Sequence, residues 1–459
     1  MRSPLGIMTV GVCLALGTAG GGLAASYYVD DNSNAGDVYT PGFTGLDSND
    51  GLTPTTPKRT LNNLISSVTL GAGDVVYIDT GTYAPSTIPA AVKGVAGDPI
   101  VFQGSTNLVA GGTVFSGSGL VVVLTVNGSY LQFRDLRSSG GTYALYMNGA
   151  AFNEFTRAQF TAGTLYNTRL ISSASNVFRQ CVFFTPASTA FSHVSGAGNY
   201  LENCVLYSPG ATVMGAAGGG VTNMVNCIIA GRYPFSASNA MPDAGSRNVI
   251  WATERLHNDF ESLVDLQRNF TNWQGNVAAD PLFLDAAAGD YHLLSAAGFV
   301  SNGVWVTNAA VGYSPAIDFG RRADLAYTNE PSPNGGRVNA GIYGGTAEAS
   351  KSRTNPWLFA MSFNDGGTLL QTARLEWVAG NMNSGTVNLH YSTNNGSDWV
   401  SITNGVAATN ESHQWTPAFS HPRVFWRVTS STNSTLAATN AKPFSIRTTT
   451  NTVFTFFVN

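Results

Sequence analysis

Charge is scarce in this sequence. Only 11% of its 459 residues are charged, with 23 Lys and Arg against 27 Asp and Glu, and the formal net charge is −4. Globular proteins carry about 25% charged residues, so long surface helices rich in Glu and Lys are not expected. The charge balance also offers no basic surface for nucleic acid or for an anionic membrane. A neutral or weakly charged extracellular partner fits this composition better.

Long apolar runs are missing beyond the N-terminus. Arg2, the apolar stretch 5–16 and the small residues GGLAAS at 21–26 together have the features of a secretory signal peptide, cleaved near residue 25. Val12 before Cys13 does not fit a lipoprotein. No later segment has the roughly 20 apolar residues that a transmembrane helix needs. We therefore expect the mature chain to be secreted or held at the cell surface.

Cysteine is also rare, but three of the four cysteines are evenly spaced. Cys181, Cys204 and Cys227 are 23 residues apart, within the near copies NVFRQCVFF, NYLENCVLY and TNMVNCIIA. Self-similarity at such a period is typical of solenoid proteins. With steps of 22 or 23 residues, the aligned position has six copies: Leu136, Ala158, Cys181, Cys204, Cys227 and Val249.

Each copy predicts two short strands that meet at a corner. Apolar residues stand three places before and two places after the aligned position, and a polar residue directly precedes it. That polar residue suits a left-handed bend, which Asn tolerates best among the larger residues. The bend residues are predicted to be Asp135, Arg157, Gln180, Asn203, Asn226 and Asn248.

Stacked parallel strands lie about 4.8 Å apart and would bring the cysteines into one internal column. We weighed free thiols, a bridged pair and a metal site. Parallel side-chain directions disfavour a disulfide, and zinc prefers clustered pairs of ligands, so buried free thiols are favoured.

The segment TPKRTLNNLISSV at 56–68 predicts a helix that covers the open end of the solenoid. Thr56 is its predicted N-cap and Pro57 its first helical residue. Four apolar residues share one face: Leu61, Leu64, Ile65 and Val68.

With this segment the chain resembles secreted right-handed parallel β-helix proteins of the pectate-lyase-like superfamily. The resemblance lies in SYYVDD, DSNDGLTPTTPKRTLNNLI and GAGDVVYIDTGTY near the N-terminus, and in DPLFLDAAAGDYHLLSAAG, SPAID and EPSPNGGRVNAGIYGGTAEAS between 280 and 350. The later segments are expected to close the helix. The resemblance is specific for the fold and not for an activity, because this fold hosts lyases, hydrolases, epimerases, adhesins and stalks.

From about residue 357 the pattern changes to alternating strands around the hairpin signal STNNGSD. We therefore predict an all-β chain with a signal peptide at 1–25, a right-handed parallel β-helix at 26–355 with about 22–23 residues per coil, and an antiparallel β-sandwich of immunoglobulin or fibronectin type at 356–459.

The terminal FFVN resembles YYVD at 27–30, which suggests one unit of a longer tandem protein. Four tryptophans are expected to fill the sandwich core or to form a glycan-stacking platform, the core being favoured: Trp377, Trp399, Trp415 and Trp426.

Catalytic signals are weak. No two acids between 131 and 251 share a column, which argues against glycoside hydrolysis by paired carboxylates. A lyase needs a base beside a uronic carboxylate and a cation to hold that carboxylate. The candidates are Arg134, Arg157 and Arg179, although Arg179 equally suits an ion pair with Glu202.

Two candidate binding sites are also considered. Aromatic residues suited to glycan contact are Phe184, Tyr207 and Tyr200, with packing beneath the segment 232–247 as the favoured alternative. Asp47, Asn49 and Asp50 suit a structural calcium ion or, as the favoured alternative, an Asx-rich turn.

Three hypotheses follow for function. The favoured one is a surface or matrix protein that binds or spaces extracellular polysaccharide. The second is a lyase acting on a uronic-acid polymer, and the third is a passive stalk unit.

Overall fold

The computed structural model describes residues 24–216, 221–236, 241–321, 324–382 and 384–448. The predicted signal peptide lies almost wholly outside this described part, and the terminal FFVN lies wholly outside it. Strands dominate the described residues, and the α-helices found there are α1 (Leu61–Ser67) and α2 (Leu263–Asn269).

Parallel strands stack into three faces of a β-helix. Face 1 comprises β1 (Ser26–Val29), β2 (Val75–Ile78), β5 (Ile100–Gly104), β8 (Leu131–Arg134), β11 (Glu154–Thr156), β14 (Val177–Arg179), β17 (Asn199–Glu202), β19 (Val221–Val225) and β21 (Ala244–Ser246). Face 2 comprises β3 (Gly81–Tyr83), β6 (Thr113–Gly117), β9 (Leu136–Gly140), β12 (Gln159–Thr161), β15 (Val182–Phe184), β18 (Val205–Ala216), β20 (Ile228–Phe235), β22 (Val249–Ala252) and β23 (Val277–Ala278). Face 3 comprises β4 (Ser86–Ile88), β7 (Val122–Val126), β10 (Tyr143–Asn148), β13 (Tyr166–Ile171), β16 (Thr189–His193) and the later halves of β18 and β20.

The corner between face 1 and face 2 adopts the predicted left-handed backbone. Its φ angle lies between 51° and 58° in six successive coils, at Asp135, Arg157, Gln180, Asn203, Asn226 and Arg247. The last copy differs from the alignment, because Val249 pairs with Ile228 rather than with Cys227. Arg247 therefore makes the bend, and the prediction of Asn248 at this place was wrong. Asn248 instead points inward, where its Oδ1 accepts the Cys227 N–H at 2.9 Å.

Internal columns of like residues hold the coils together. Four phenylalanines form a continuous stack, with centroids 5.0, 4.6 and 5.0 Å apart: Phe102, Phe133, Phe155 and Phe178. Cys181, Cys204 and Cys227 are buried free thiols in an adjacent column, as favoured from their spacing. Burial raises the pKa of the Cys181 thiol, which disfavours its reactive thiolate form.

The N-terminal lid is shorter than predicted. Thr60, not Thr56, is the N-cap of α1, and its side chain accepts the Asn63 N–H. The preceding residues are extended because Lys58 pairs with β1: its N–H donates to the Tyr28 carbonyl at 2.9 Å, and its own carbonyl accepts the Asp30 N–H at 2.8 Å. Leu61 and Leu64 are buried at the first coil, so the helix does cover this end.

The segment expected to close the helix instead lies along the outside of face 2. It contains β24 (Phe283–Asp285), β25 (Asp290–Leu293), β26 (Phe299–Ser301) and β27 (Val304–Val306). Its apolar residues, among them Ile317 and Phe319, pack on the outward-pointing Val205 and Ile228. The far end of the core is covered by Leu263 and Leu266 of α2 together with the fully buried Trp273.

Two facing sheets follow the β-helix. One contains β28 (Trp357–Ala360), β30 (Ala373–Gly380) and β33 (Ser412–Trp415). The other contains β29 (Thr368–Leu370), β31 (Thr386–Ser392), β32 (Val400–Ala407), β34 (His421–Ser430), β35 (Ala437–Thr439) and β36 (Phe444–Arg447). Trp377, Trp415 and Trp426 are buried between them. Trp399 instead lies at the surface, with the Arg427 guanidinium 4.2 Å from its ring centroid.

A buried ion cluster joins the second unit to the β-helix. The Glu411 carboxylate accepts from Arg337 through Oε1 and from Arg247 through Oε2, the latter at 3.0 Å. Only 2% of the Arg337 side chain and 8% of the Glu411 side chain are exposed. The two guanidiniums and one carboxylate therefore fix the contact by charge as well as by packing.

Candidate functional site

The outer surface of face 1 carries two of the three candidate arginines. Arg134 and Arg179 occupy one outward column, each paired with Thr156 of the coil between them. Arg179 forms ion pairs with Glu154, at 3.1 Å, and with Glu202. Arg134 donates to the Gln132 amide oxygen on its own strand. Arg179 is thus neutralised by two acids, whereas Arg134 forms no ion pair with an acid in the described part of the chain.

Arg157 lies apart from these two, at the corner between faces 1 and 2. Its guanidinium donates to both carboxylate oxygens of Asp135, one coil earlier, at 2.6 and 2.7 Å. This hydrogen-bonded pairing raises the pKa of Arg157 above its usual value. Arg157 therefore stays charged and is a poor proton acceptor.

An open groove of about 410 Å³ begins at this corner. Its floor is the outer surface of face 2 and its far wall is the segment 342–348. Polar side chains on the floor and corner come from Asp135, Arg137, Arg157, Gln159 and Gln180, and the wall contributes Ile342, Tyr343, Thr346, Ala347 and Glu348. The groove thus combines guanidinium groups, amides and an aromatic ring.

Arg137 is the groove residue that the sequence analysis missed. It lies in the outward column Thr82, Val114, Arg137, Gln159, Val182, Val205, Ile228 and Val249 on face 2. Arg137 and Gln159 are two consecutive polar positions of this column, which is apolar from Val182 onward. Because the apolar part lies beneath residues 280–350, the groove lies where that cover ends. This change from polar to apolar residues at Val182 can be seen in the sequence when the strands of successive coils are aligned.

The groove wall contains Tyr343, whose ring is stacked on that of His292. The His292 ring stacks on Tyr343 with centroids 3.7 Å apart, and its Nδ1 lies 2.6 Å from Asp290 Oδ1. Burial, assisted by the charges of Asp290 and Glu348, raises the pKa of the Tyr343 hydroxyl. The hydroxyl is therefore protonated at neutral pH and suits hydrogen bonding to a ligand better than proton abstraction.

The predicted glycan-contact aromatics lie elsewhere. Phe184 and Tyr207 stack with centroids 5.7 Å apart, as their spacing predicted. Tyr207 also makes edge contacts with Phe283 and Tyr291, at 6.3 Å each, so the covering segment lies against this stripe. Tyr200 lies on face 1 with the Arg179 guanidinium 5.7 Å from its ring centroid. These three rings do not line the groove.

The residues predicted for calcium bind their own loop. Asp47 Oδ1 accepts from the N–H and hydroxyl of Thr60 at 3.1 Å. Asp50 Oδ1 accepts from Leu52 N at 3.0 Å and from the Thr56 hydroxyl at 2.7 Å, and Asn49 donates to the Pro57 carbonyl. Across the described ranges, no group of three or more His, Cys, Asp or Glu residues has the arrangement of a metal site.

Three faces of parallel strands, a lid helix and a buried ladder of like residues define the architecture. The fold is therefore a parallel β-helix, as the repeat predicted. No protein-family model and no curated protein matches the sequence.

Solved structures with a similar fold include three lyases. Pectate lyase Pel9A is 14% identical, with a TM-score of 0.41, over 70% of this chain and 97% of that one. A rhamnogalacturonan lyase is 18% identical, with a TM-score of 0.38, over 51% of this chain and 70% of that one. An alginate lyase from Paenibacillus sp. is 15% identical, with a TM-score of 0.30, over 40% of this chain and 83% of that one. At these identities the likeness concerns the fold alone. Within the described residues, no helix has both the length and the apolar character needed to cross a bilayer.

Proposed function

We propose that this chain is an exported β-helix protein that binds an acidic extracellular polysaccharide in the groove formed by face 2 and residues 342–348. The observation that carries this proposal is Arg137. It is exposed on the groove floor and forms no ion pair with any acid in the described part of the chain. A guanidinium of this kind can hold a carboxylate through two parallel hydrogen bonds.

The neighbouring groups suit a sugar polymer. Gln159 and Gln180 offer amides for hydroxyl groups, and Tyr343 offers an aromatic ring and a protonated hydroxyl. Arg157 adds a second guanidinium whose charge Asp135 partly offsets. The groove also carries the carboxylates of Asp135 and Glu348, so its two guanidiniums are nearly balanced in charge. Such a mixture, with amides and an aromatic ring, fits a uronic acid better than a strongly anionic ligand such as a nucleic acid.

A lyase reaction on a uronic-acid polymer is the alternative. It requires a base that removes the proton beside the carboxylate while the glycosidic oxygen leaves. The raised pKa values of Arg157 and Tyr343 make both groups poor bases in the groove. Binding without cleavage is therefore favoured, and no unsaturated sugar product is expected.

The experiment compares the purified chain with two charge-matched variants, Arg137→Gln in the groove and Arg59→Gln near the lid helix. Affinity electrophoresis is run with polygalacturonate, alginate and an uncharged polysaccharide. We expect Arg137→Gln, and not Arg59→Gln, to weaken retention by an acidic polymer several-fold. Equal retention of the two variants by an acidic polymer would show that the polymer does not bind at Arg137.

The same polymers are then incubated with the protein while ultraviolet absorbance is followed. Accumulation of an unsaturated product that absorbs ultraviolet light would show that the chain is a lyase and not only a binding protein. No retention by any polymer together with no product would favour the stalk hypothesis instead.

A further inference from the structure

Two aspartates near the first coil have buried carboxylate oxygens without a hydrogen-bond partner in the described part of the chain. Asp30 follows β1 and is 0% exposed. Both of its carboxylate oxygens, and both of those of Asp37, are buried without a hydrogen-bond donor in the described part of the chain. A buried carboxylate without donors or a counter-charge is costly, so it either holds a proton or binds a cation.

The surrounding donors are already used by other acids. Asp79 accepts from the N–H groups of Val38, Tyr39 and Thr40 at 2.6 to 2.7 Å. The Thr40 hydroxyl also donates to Asp79, at 2.9 Å. Asp79 is thus the anchor that holds the loop containing Asp37 against the first coil. The Thr40 hydroxyl is the neighbouring side-chain donor that acts on Asp30, and it is shared with Asp79.

Strand pairing places the carboxylates together. Val29 pairs with Ile78, so Asp30 lies beside Asp79, and Asp37 directly precedes Val38, whose N–H donates to Asp79. Burial and the charges of Asp37 and Asp79 raise the pKa of Asp30 to about 8. Burial and the charges of Asp79 and Asp31 raise the pKa of Asp37 to about 6. Each carboxylate is therefore affected by neighbouring negative charges, and among the described residues no cation contributes to either shift.

We propose that Asp30 and Asp37 bind a calcium ion that ties the 31–40 loop to the first coil of the β-helix. Calcium takes six to eight oxygen ligands, so two carboxylates would be completed by backbone carbonyls and water. Asp31 is an unsuitable third ligand, because its oxygens already accept from Ser33 N at 2.7 Å and Thr82 N at 3.0 Å. This places calcium away from Asp47, Asn49 and Asp50, where the sequence suggested it.

Thermal unfolding of the calcium-stripped protein tests the proposal. Addition of Ca²⁺ at about 1 mM, which is in the range used by extracellular modules, should raise the unfolding midpoint by about 2 °C or more. Asp30→Asn and Asp37→Asn should abolish this response. Both variants should fold, because each removes a buried negative charge. Asp50→Asn is the control and should respond to calcium like the unmodified protein.

Terbium provides a second readout that does not depend on stability. Tyr83 is buried among these acids, since the charges of Asp30, Asp31, Asp79 and Asp37 all act on its hydroxyl. A Tb³⁺ ion bound at the site should therefore emit when tyrosine is excited. Calcium should displace the bound terbium and so reduce this emission, and Asp30→Asn should abolish it.

Two outcomes would overturn the proposal. One is a calcium response that persists in Asp30→Asn. The other is a protein that ignores calcium but becomes more stable as the pH falls from about 9 to about 6, which would show that a shared proton, not a metal, neutralises the pair.

Discussion

The guanidinium of Arg157 and the carboxylate of Asp135 form a two-point ion pair across consecutive coils, with Nε–Oδ1 and Nη2–Oδ2 distances of 2.6 and 2.7 Å. Both residues occupy the same left-handed corner. The Arg157 side chain is 51% exposed, so the pair contributes at most about 1 kcal/mol to stability. Its greater effect is on the charge at the mouth of the groove.

Asp135→Asn should therefore strengthen the binding of acidic polymers. The substitution keeps the shape of the side chain and removes the negative charge beside Arg157, so a second guanidinium becomes available to a carboxylate ligand. We expect a several-fold gain in affinity for whichever acidic polymer the unmodified protein retains, measured by affinity electrophoresis at low salt.

Asp398→Asn is the matched control, since it makes the same change in net charge on the distant hairpin of the sandwich. A gain of equal size in both variants would mean that net charge alone is responsible. A loss of affinity in Asp135→Asn would mean that this carboxylate itself contacts the ligand.

The phenylalanine stack should carry much of the stability of the β-helix. Phe155 is fully buried, with ring centroids 4.6 Å from Phe133 and 5.0 Å from Phe178. Phe155→Ala should lower the free energy of unfolding by about 3–5 kcal/mol, because it opens a cavity in the middle of the column. Urea denaturation followed by circular dichroism measures the loss. Phe43→Ala, at a side chain that is 42% exposed, should change stability far less.

The sequence predicted this stack because each coil repeats the same physical requirement. An inward residue must fill the same space in every coil, and a corner residue must adopt a positive φ, so both recur along the chain. The alignment misplaced the last corner because Arg247 follows Asn226 by 21 residues, whereas the other steps are 22 or 23 residues. Val249 is apolar and so fitted the aligned position, although it pairs with Ile228.

The site was harder to predict because non-repeating segments create it. Arg137 becomes a groove residue only because the covering segment ends near Glu348. Likewise, Asp30 and Asp37 come together through a loop that Asp79 anchors from 39 to 41 residues away in sequence. Neither relationship has a local period or motif.

The contact between the two units should depend on Glu411. Glu411→Gln keeps the shape of the side chain but leaves the guanidiniums of Arg337 and Arg247 facing a neutral amide. Because the Arg337 side chain is only 2% exposed, breaking this buried pairing should cost about 3–5 kcal/mol. We expect faster proteolytic cleavage between the β-helix and the sandwich, followed by mass spectrometry of the fragments.

Glu261→Gln, at an exposed position, is the control for Glu411→Gln and should leave the cleavage rate unchanged. Unchanged cleavage in Glu411→Gln as well would show that apolar packing alone holds the two units together.

Glu330 should make stability depend on pH. It is 5% exposed, and its Oε1 accepts from Asn339 N and Gly345 N at 2.8 Å each. Burial is the largest cause that raises its pKa, to about 8, whereas an unfolded Glu titrates near about 4.3. Between these values the folded state holds more protons than the unfolded state. Its contribution to stability is therefore complete below pH about 4 and is lost as the pH rises through about 8.

Glu330→Gln should remove this loss, because the amide oxygen can accept the same two N–H groups without ionising. The free energy of unfolding of the unmodified protein should fall relative to that of the variant by up to about 1.4 kcal/mol per pH unit between about pH 5 and pH 8. Urea denaturation at several pH values measures the difference, with the exposed Glu348→Gln as control. Parallel curves for the unmodified protein and Glu330→Gln would mean that Glu330 is ionised in the folded state and that its backbone donors outweigh its burial.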